Sequence, residues 1–402
     1  MSFSRNAESK TFWILCVMGA FAILSSTMSK NPVLKPFSSY LGAPTEWTGF
    51  IASASTIPGI LVSLPAASLS DIFGRRRFLL VAGFVFASAP FLYLFVTAWW
   101  QLIFVRFYHG FATAIFVPVA EAFVAELYPT KRGERISLIS SATYVGRVAA
   151  PILGGTILFI TNSGFHVLYL AVATAGISAL VTGFLFLAKE KTQVATTSKV
   201  TEENVLKKVL NGWKTVVTEF GVLVTCLVQA SQYYAFGVVE FYLSGYLKES
   251  MQFDWLLTGI VMGSLVALPV FVKPYIGRAS DRTGRRTPIA LGCVVSGLPL
   301  ILIPFVSDFW ILLALALMYG LGFAAVTAVT PALVSELAPS EITGASMGFL
   351  DMMMDVGQTL GPIISGFILA SAFGYAGVFL SLAAVLLLCC LAFVLLRIET
   401  RH

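Results

Sequence analysis

Two short charged stretches decide the fold: Asp71-Ile72-Phe73-Gly74-Arg75-Arg76 and Asp281-Arg282-Thr283-Gly284-Arg285-Arg286. They start 210 residues apart (281 − 71 = 210), and the Asp, the Gly and the two Arg residues have the same spacing in both. An offset that recurs at separate positions indicates two copies of one unit. The same offset, to within one residue, separates three further pairs: Gly110 and Gly320, Glu126 and Glu336, and Pro151 and Pro362.

The sequence around these stretches is strongly apolar. Hydrophobic residues make up 57% of the 402 residues and charged residues 11%, whereas a soluble domain carries roughly 25% charged residues. A helix of about 20 apolar residues crosses the hydrocarbon core of a bilayer. The composition therefore predicts an all-α integral membrane protein with twelve spans, at 11–31, 47–69, 78–97, 99–125, 136–160, 165–188, 219–246, 255–277, 287–306, 309–335, 344–370 and 374–396.

The distribution of lysine and arginine predicts the orientation. Twenty of the 26 fall in segments on the same side as the N-terminus, three on the opposite side, and three within spans, namely Arg106, Arg147 and Lys273. The positive-inside rule then predicts that both termini are cytoplasmic. We expect a multi-pass protein of the plasma (inner) membrane, whose net charge of +6 reflects this topology and anionic lipid rather than a nucleic-acid partner.

The repeat also predicts the domain organisation. Six spans is an even number, so both copies enter the membrane from the same side, as parallel repeats related by an axis along the membrane normal. The predicted domains are a six-helix bundle at 1–188, a cytoplasmic linker at 189–218 and a second six-helix bundle at 219–402. The linker pattern indicates an amphipathic helix at the inner interface, and a solvated linker is the alternative.

Two such charged motifs in register carry a family resemblance. The second copy matches the pattern G-x-x-x-D-R-x-G-R-R in full with Gly277 as its first residue, whereas the first copy has Ala67 and Ile72 at two positions. Over essentially its whole length the chain resembles a major facilitator superfamily (MFS) transporter, and within the superfamily the twelve-helix drug/proton antiporters. The resemblance implies the MFS fold, two six-helix bundles that expose a substrate site to each side of the membrane in turn.

The charged motifs predict a cytoplasmic gate. A carboxylate at the end of a helix, such as Asp71, can accept bonds from the N–H groups at the start of another helix, and Arg75 can reach Glu126. Parting of such clusters would open the inner side; the alternative is that the arginines only obey the positive-inside rule. The predicted gate comprises Asp71, Gly74, Arg75, Glu126, Asp281, Gly284 and Arg285.

Two further motifs resemble those of the antiporter branch. Leu102-x-x-x-Arg106-x-x-His109-Gly110 is similar to a family pattern whose Arg is implicated in proton transfer; the alternative is a structural Arg bonded to carbonyls of a neighbouring helix. The second motif resembles G-x-x-x-G-P-x-x-G-G, which marks exporters in the family. It comprises Gly146, Arg147, Pro151, Gly154 and Gly155, with Ala150 in place of a Gly and Arg147 as an additional charge.

A proton-coupled carrier needs acids inside the membrane. Asp351 and Asp355 lie four residues apart and so face the same way on one helix, and two carboxylates this close do not both stay ionised in a low dielectric. The alternative is that they only solvate a helix end. Glu121 shares a broad face with Arg106 and is either a proton site or part of the gate. The proton-coupling candidates are thus Arg106, Glu121, Asp351 and Asp355.

A stripe of polar and aromatic residues at helical spacing predicts a substrate cavity. Such a stripe suits an amphipathic ligand, although its acid, Glu240, could instead lie at the outer interface. The cavity candidates are His109, Gln229, Gln232, Tyr233, Phe236, Glu240 and Gln358.

Together these patterns predict a secondary active exporter of small amphipathic or drug-like compounds, coupled to proton influx. The chain has no G-x-x-x-x-G-K-[ST] run for nucleotide phosphates and no metal or disulfide spacing among its three His and five Cys. We therefore expect no enzyme activity and no cofactor, with the proton gradient as energy source and substrate, protons and lipid as partners of a monomer. The alternatives are an uptake symporter for a sugar or organic acid, a flippase for a lipid or lipid precursor, and a non-transporting receptor.

Overall fold

The computed structural model describes residues 2–128, 132–187, 219–338 and 343–396. Within these ranges the chain is helical and contains no strand. The predicted linker at 189–218 lies outside the described residues.

The first part of the chain forms eight α-helices. Long apolar helices alternate with short turns, and Pro residues lie inside several of them, as membrane helices tolerate when neighbouring helices satisfy the backbone. The helices are α1 Ser2–Met28, α2 Leu34–Tyr40, α3 Thr45–Ser53, α4 Ile57–Phe73, α5 Arg75–Leu94, α6 Gln101–Leu127, α7 Arg132–Ile160 and α8 Phe165–Leu187.

The second part forms six α-helices and two short irregular turns. A π-helical turn, Tyr246–Ser250, extends the first of them, and a 3-10 turn, Ile303–Phe305, extends the third. The helices are α9 Phe220–Gly245, α10 Trp255–Thr283, α11 Arg286–Leu302, α12 Phe309–Leu337, α13 Thr343–Ala370 and α14 Gly374–Leu395.

Eleven helical stretches in the described residues are long and apolar enough to cross a membrane. The prediction of one continuous span at 47–69 is wrong, because the structure has two helices there, α3 and α4, separated by a turn at 54–56. Pro58 at the start of α4 explains the interruption. It has no N–H for the carbonyl of Ala54, and its ring would clash with that carbonyl in a continuous helix.

The chain divides into two compact units, and the division falls inside helices α9 and α10. The first unit contains the described residues within 1–194 together with 240–263, and the second contains those within 195–239 and 264–402. In the first unit α1 packs against α7 and α8, and α5 against α6 and α8. In the second, α11 packs against α12 and α14.

Each unit has its own apolar core. Phe12, Phe86 and Phe116 are fully buried in the first core, and Ile289, Val329 and Phe393 in the second. Large apolar side chains such as Phe104 and Leu388 are exposed on the helix surfaces. On helices of this length, such side chains suit contact with lipid.

Candidate gating and transport residues

A first charge cluster, formed by Asp71, Arg75 and Glu126, lies where α4 turns into α5. Arg75 donates from Nε to Glu126 Oε1 at 2.7 Å and from Nη1 to Ser70 Oγ at 3.2 Å, and it is also ion-paired with Asp71. Gly74, between the two helices, has a φ of 95°, a region that residues with a Cβ rarely adopt. The structure thus brings together Arg75 and Glu126, 51 residues apart.

A second charge cluster, formed by Asp281, Arg285 and Glu336, repeats this geometry in the second unit. Arg285 Nε lies 2.9 Å from Glu336 Oε1, and Arg285 Nη1 lies 2.5 Å from Asp281 Oδ1. The bond to Glu336, more than any other contact, raises the pKa of the Arg285 guanidinium above its usual value. Gly284 has a φ of 83°, so the turn of the first cluster recurs as well.

The two clusters share the bonds that their Arg residues make to a Glu and to a Ser. Each Arg bonds a Glu through Nε, and each lies beside a Ser five residues earlier, Ser70 in the first cluster and Ser280 in the second. Glu121, a predicted proton site, is half-buried five residues before Glu126 and contacts neighbouring residues.

Helix α6 carries Arg106 and His109 into the interior of the first unit. Both residues are 2% exposed. Arg106 Nη2 donates to Ser55 Oγ at 2.5 Å, and Ser55 lies in the turn that separates α3 from α4. His109 Nδ1 lies 3.4 Å from both Ser29 Oγ and Tyr93 Oη. Gly110 permits this approach, since a Cβ there would collide with the Ser55 carbonyl.

Glu240 forms a buried ion pair with Lys30 in the first unit. The Lys30 side chain is 12% exposed and the Glu240 side chain 10%. Asn31 Nδ2 donates to the second carboxylate oxygen of Glu240 at 2.9 Å. A second ion pair joins Lys35 Nζ to Glu249 Oε1 at 3.0 Å. Glu240, predicted as cavity lining, therefore has its carboxylate occupied by two residues that follow α1.

The predicted antiporter motif makes α7 a close-packing helix. A Cβ on Gly146 would collide with the carbonyl of Ala20 in α1, and one on Gly155 would collide with the carbonyl of Trp255. Gly154 lies against Asn31 and Pro32. Arg147 stacks on the Tyr144 ring at 5.6 Å, and its charge acts on both Lys30 and Glu240. The motif thus lets α7 approach α1 and the start of α10.

The predicted cavity stripe on α9 separates into two kinds of residue. The amides are buried and bonded within the second unit: Gln229 accepts from Thr330 at 2.5 Å, and Gln232 donates to Ser296 at 3.0 Å. The aromatic residues form a cluster instead. Phe236 stacks on Phe323 with centroids 4.5 Å apart, and Tyr233 contacts the same ring edge-on at 5.2 Å.

Helix α13 carries the predicted acids Asp351 and Asp355. Asp351 is exposed and Asp355 half-buried, and among the described residues neither side chain forms a hydrogen bond or an ion pair that would hold its carboxylate. Gln358 lies against Gly237 of α9, with its Cγ 3.0 Å from where a Cβ of that glycine would lie. The two carboxylates therefore lie on a span without a fixed partner in the described part of the chain.

The family model of the Major Facilitator Superfamily matches residues 15–272 and 266–402. The chain belongs to the major facilitator superfamily. It is a multi-pass membrane transporter, not an enzyme, and the predicted fold class is confirmed.

Relatives of this MFS transporter cover most of its length. An uncharacterized MFS-type transporter of Methanocaldococcus jannaschii is 23% identical over 356 residues, which are 87% of this chain and 88% of the relative. The multidrug resistance protein MdtG of Enterobacter lignolyticus is 24% identical over 387 residues, 93% of this chain and 88% of that protein. MdtG of Proteus mirabilis is 25% identical over 343 residues, 84% of this chain and 83% of that protein.

Solved structures share the fold of this MFS transporter. A bacterial homologue of the human lysosomal transporter Spinster superposes with a TM-score of 0.80 at 14% identity and covers 97% of this chain and 96% of its own. The human organic anion transporter MFSD10 gives a TM-score of 0.66 at 17% identity, over 96% and 99% of the two chains.

Sequence reasoning missed two lysines of this MFS transporter that form ion pairs in the interior of the first unit. Lys30 and Lys35 are predicted only as charges of the outer side, yet Lys35 is buried, Lys30 is half-buried, and both are ion-paired. One signal was available: the positive-inside rule disfavours cations there, so a lysine beside an apolar span needs a partner. The partner itself, more than 200 residues away, has no signature in a single sequence.

Proposed function

We propose that the protein is a secondary active transporter that exports small amphipathic compounds by alternating access, driven by proton influx. The observation that carries the proposal is the pair of charge clusters with matching atoms at a constant offset of 210 residues. Clusters of exposed ion pairs contribute little to stability, so two repeated ones are better explained as contacts that break and re-form. The relatives named multidrug resistance proteins support export of drug-like compounds.

Proton coupling is assigned to α13. Asp351 and Asp355 face the same way on a span, and two adjacent carboxylates in a low dielectric favour sharing a proton over carrying two charges. Moving one charge through 100 mV is worth about 2.3 kcal/mol, so inward protons can drive export without nucleotide or other cofactor. The distribution of Lys and Arg supports the plasma (inner) membrane with cytoplasmic termini, and the function requires only a monomer.

Proteoliposomes test the proposal directly. The full chain is reconstituted with a pH-sensitive dye inside, an inside-acid gradient is imposed, and lipophilic cations, anions and neutral amphiphiles are added outside. An antiporter exchanges the added compound for internal protons, so the lumen should become more alkaline. A symporter would instead acidify the lumen, and compound uptake without any proton movement would favour a uniporter or a flippase; either result contradicts the proposal.

A matched pair of variants assigns the coupling residue. Asp355→Asn should abolish compound-triggered proton flux at unchanged protein level. Asp308→Asn is the control, because it removes one carboxylate of the same unit, and Asn can keep the helix cap that Asp308 provides to Ile311 at 3.0 Å. Equal proton flux in Asp355→Asn and wild type would remove Asp355 from the mechanism.

A further inference from the structure

The interior of the first unit contains more positive than negative charge. Arg106 and Arg147 both act electrostatically on Lys30, and Lys30 and Arg147 act on the carboxylate of Glu240. We call these four residues the buried cation cluster. Three cations and one carboxylate leave an excess of two positive charges. Arg106 is 2% exposed, and the side chain of Lys30 is 12% exposed.

Three other carboxylates of the unit do not offset this excess. Glu249 is bound by Lys35, and Glu126 is bound by Arg75 in the first charge cluster. Glu121 lies fifteen residues beyond Arg106 on the same helix, which is about 22 Å along the axis at 1.5 Å per residue. At that distance Glu121 does not contact Arg106.

Three polar atoms near this cluster are buried without a hydrogen-bond partner in the described structure: Arg106 Nε, His109 Nε2 and Asn31 Oδ1. A guanidinium has five N–H donors, and Ser55 is the only side chain among the described residues that accepts one from Arg106. A buried donor that forms no hydrogen bond costs about 1–3 kcal/mol of stability, and more when the donor belongs to a charged group. Such a group is expected where a ligand supplies the missing acceptor.

Aromatic surfaces lie beside these unpartnered atoms. Tyr93 and Tyr169 stack with centroids 4.5 Å apart, and His109 meets Tyr93 edge-on at 6.0 Å. Tyr169 Oη reaches the carbonyl of Ser29, next to Lys30. Both tyrosines are 1% exposed and their rings cover each other, so they make the surroundings of the cationic group apolar. Apolar surroundings beside a cation suit a ligand with an apolar body and an anionic end.

We propose that the buried cation cluster binds a carboxylate, and that the transported compound is an amphipathic organic anion. The Arg106 guanidinium is the main ligand, because it is buried and has no acidic partner among the described residues, and Lys30 and Arg147 supply further positive potential. This inference rests on the transport function proposed above and narrows its substrate class from amphipathic compounds in general to anionic ones.

Equilibrium dialysis of the purified full chain in detergent tests the site apart from transport. The probes are 2-naphthoate, the neutral 2-naphthamide and 2-naphthylmethylammonium, which differ mainly in charge. Wild type should bind the carboxylate at least tenfold tighter than the other two. Equal affinity for all three probes would overturn the proposal.

Charge variants sharpen the test. Arg106→Gln should weaken naphthoate binding at least tenfold and leave naphthamide unchanged, while Arg77→Gln, which removes an exposed arginine of the same unit, should change neither. Glu240→Gln raises the positive excess from two to three, so it should tighten naphthoate binding several-fold. A gain in affinity cannot come from misfolding, and weaker naphthoate binding by folded Glu240→Gln would contradict the charge argument.

The proteoliposome assay separates this inference from the proposed function. If naphthoate binds as expected but triggers no proton flux, the proposed anion site is supported and proton-coupled transport is contradicted. Proton flux triggered by the cation or the amide, with no binding of naphthoate, would keep transport and overturn the anion site. Displacement of naphthoate by phosphatidylglycerol, without uptake of naphthoate, would overturn the substrate assignment in favour of an anionic lipid headgroup.

Discussion

At the scale of single residues, the turns beneath the two charge clusters depend on glycine. Gly74 and Gly284 have φ values of 95° and 83°, and Gly284 has no neighbouring atom within 4 Å of where a Cβ would lie. The cost of a side chain at Gly284 therefore comes from the backbone alone. Strained backbone of this kind costs of order 1–3 kcal/mol for a residue other than glycine.

Gly284→Ala should therefore lower the thermal stability of the detergent-solubilised protein. Gly348→Ala is the control, because Gly348 lies in helix α13, also has open space around it and has no positive φ. Alanine favours helix over glycine by about 1 kcal/mol, so this control should be neutral or stabilising. A thermal unfolding scan that gives both variants the same shift would refute the backbone argument.

Residue-level prediction succeeded where partners are set by helix geometry. Asp71 and Arg75 are four residues apart along the chain, and Glu126 ends the helix that follows α5, so their meeting could be inferred from spacing. Lys30 and Glu240 lie 210 residues apart, and their contact depends on how α9 packs. Packing of that kind leaves no period or spacing in the sequence.

At the scale of secondary-structure elements, glycines in α7 and α10 allow backbone contact between the two helices. A Cβ on Gly155 would meet the Trp255 carbonyl, and one on Gly259 would meet the Pro151 carbonyl. Gly154, the next residue in the motif, has as its nearest neighbour a side-chain atom of Pro32 at 3.2 Å. Small residues that let helix backbones approach are the usual basis of helix association in membranes.

Gly155→Ala should consequently destabilise the protein more than Gly154→Ala. Overpacking typically costs 1–3 kcal/mol, and a backbone carbonyl yields less easily than the end of a side chain. Fluorescence-detected size-exclusion chromatography after graded heating would rank the two variants. The interpretation is wrong if Gly154→Ala melts first.

The interruption between α3 and α4 shows what hydropathy overlooks. The stretch 47–69 is apolar enough for one span, but Pro58 ends the regular helix, and the turn at 54–56 places Ser55 against Arg106. Proline is visible in the sequence, so the break could have been anticipated. The hydrogen bond between Ser55 in this turn and Arg106 could not have been anticipated, because it depends on the position of α6.

At the scale of the whole molecule, the internal repeat extends from sequence motifs to backbone contacts. Gly110 faces the Ser55 carbonyl and Gly320 faces the Leu265 carbonyl, and both residues of the second contact follow those of the first by 210. Likewise, Gly146 faces Ala20 and Gly357 faces Ala230. The twofold architecture was therefore predictable from the offset alone. The offset also shows an asymmetry between the copies, because Ala316 lies at the position equivalent to Arg106. The contact of Arg106 with Ser55, by contrast, required the structure.

The proposed orientation can be measured by labelling of introduced cysteines. Arg77→Cys and Tyr40→Cys place thiols at exposed positions predicted to lie on opposite sides of the membrane. The native cysteines are buried or half-buried, so background labelling should be low. In intact cells a membrane-impermeant maleimide should modify position 40 and spare position 77. The reverse pattern would place the termini outside.

The Lys30–Glu240 ion pair has a bearing on the ancestry of the chain. The two residues are 210 positions apart, the offset that relates the copies, so each is the counterpart of the other. Two identical copies carry the same side chain at this position and cannot form an ion pair there. Opposite charges became available only when duplication and fusion allowed each half to mutate separately. The ion pair is therefore younger than the repeat.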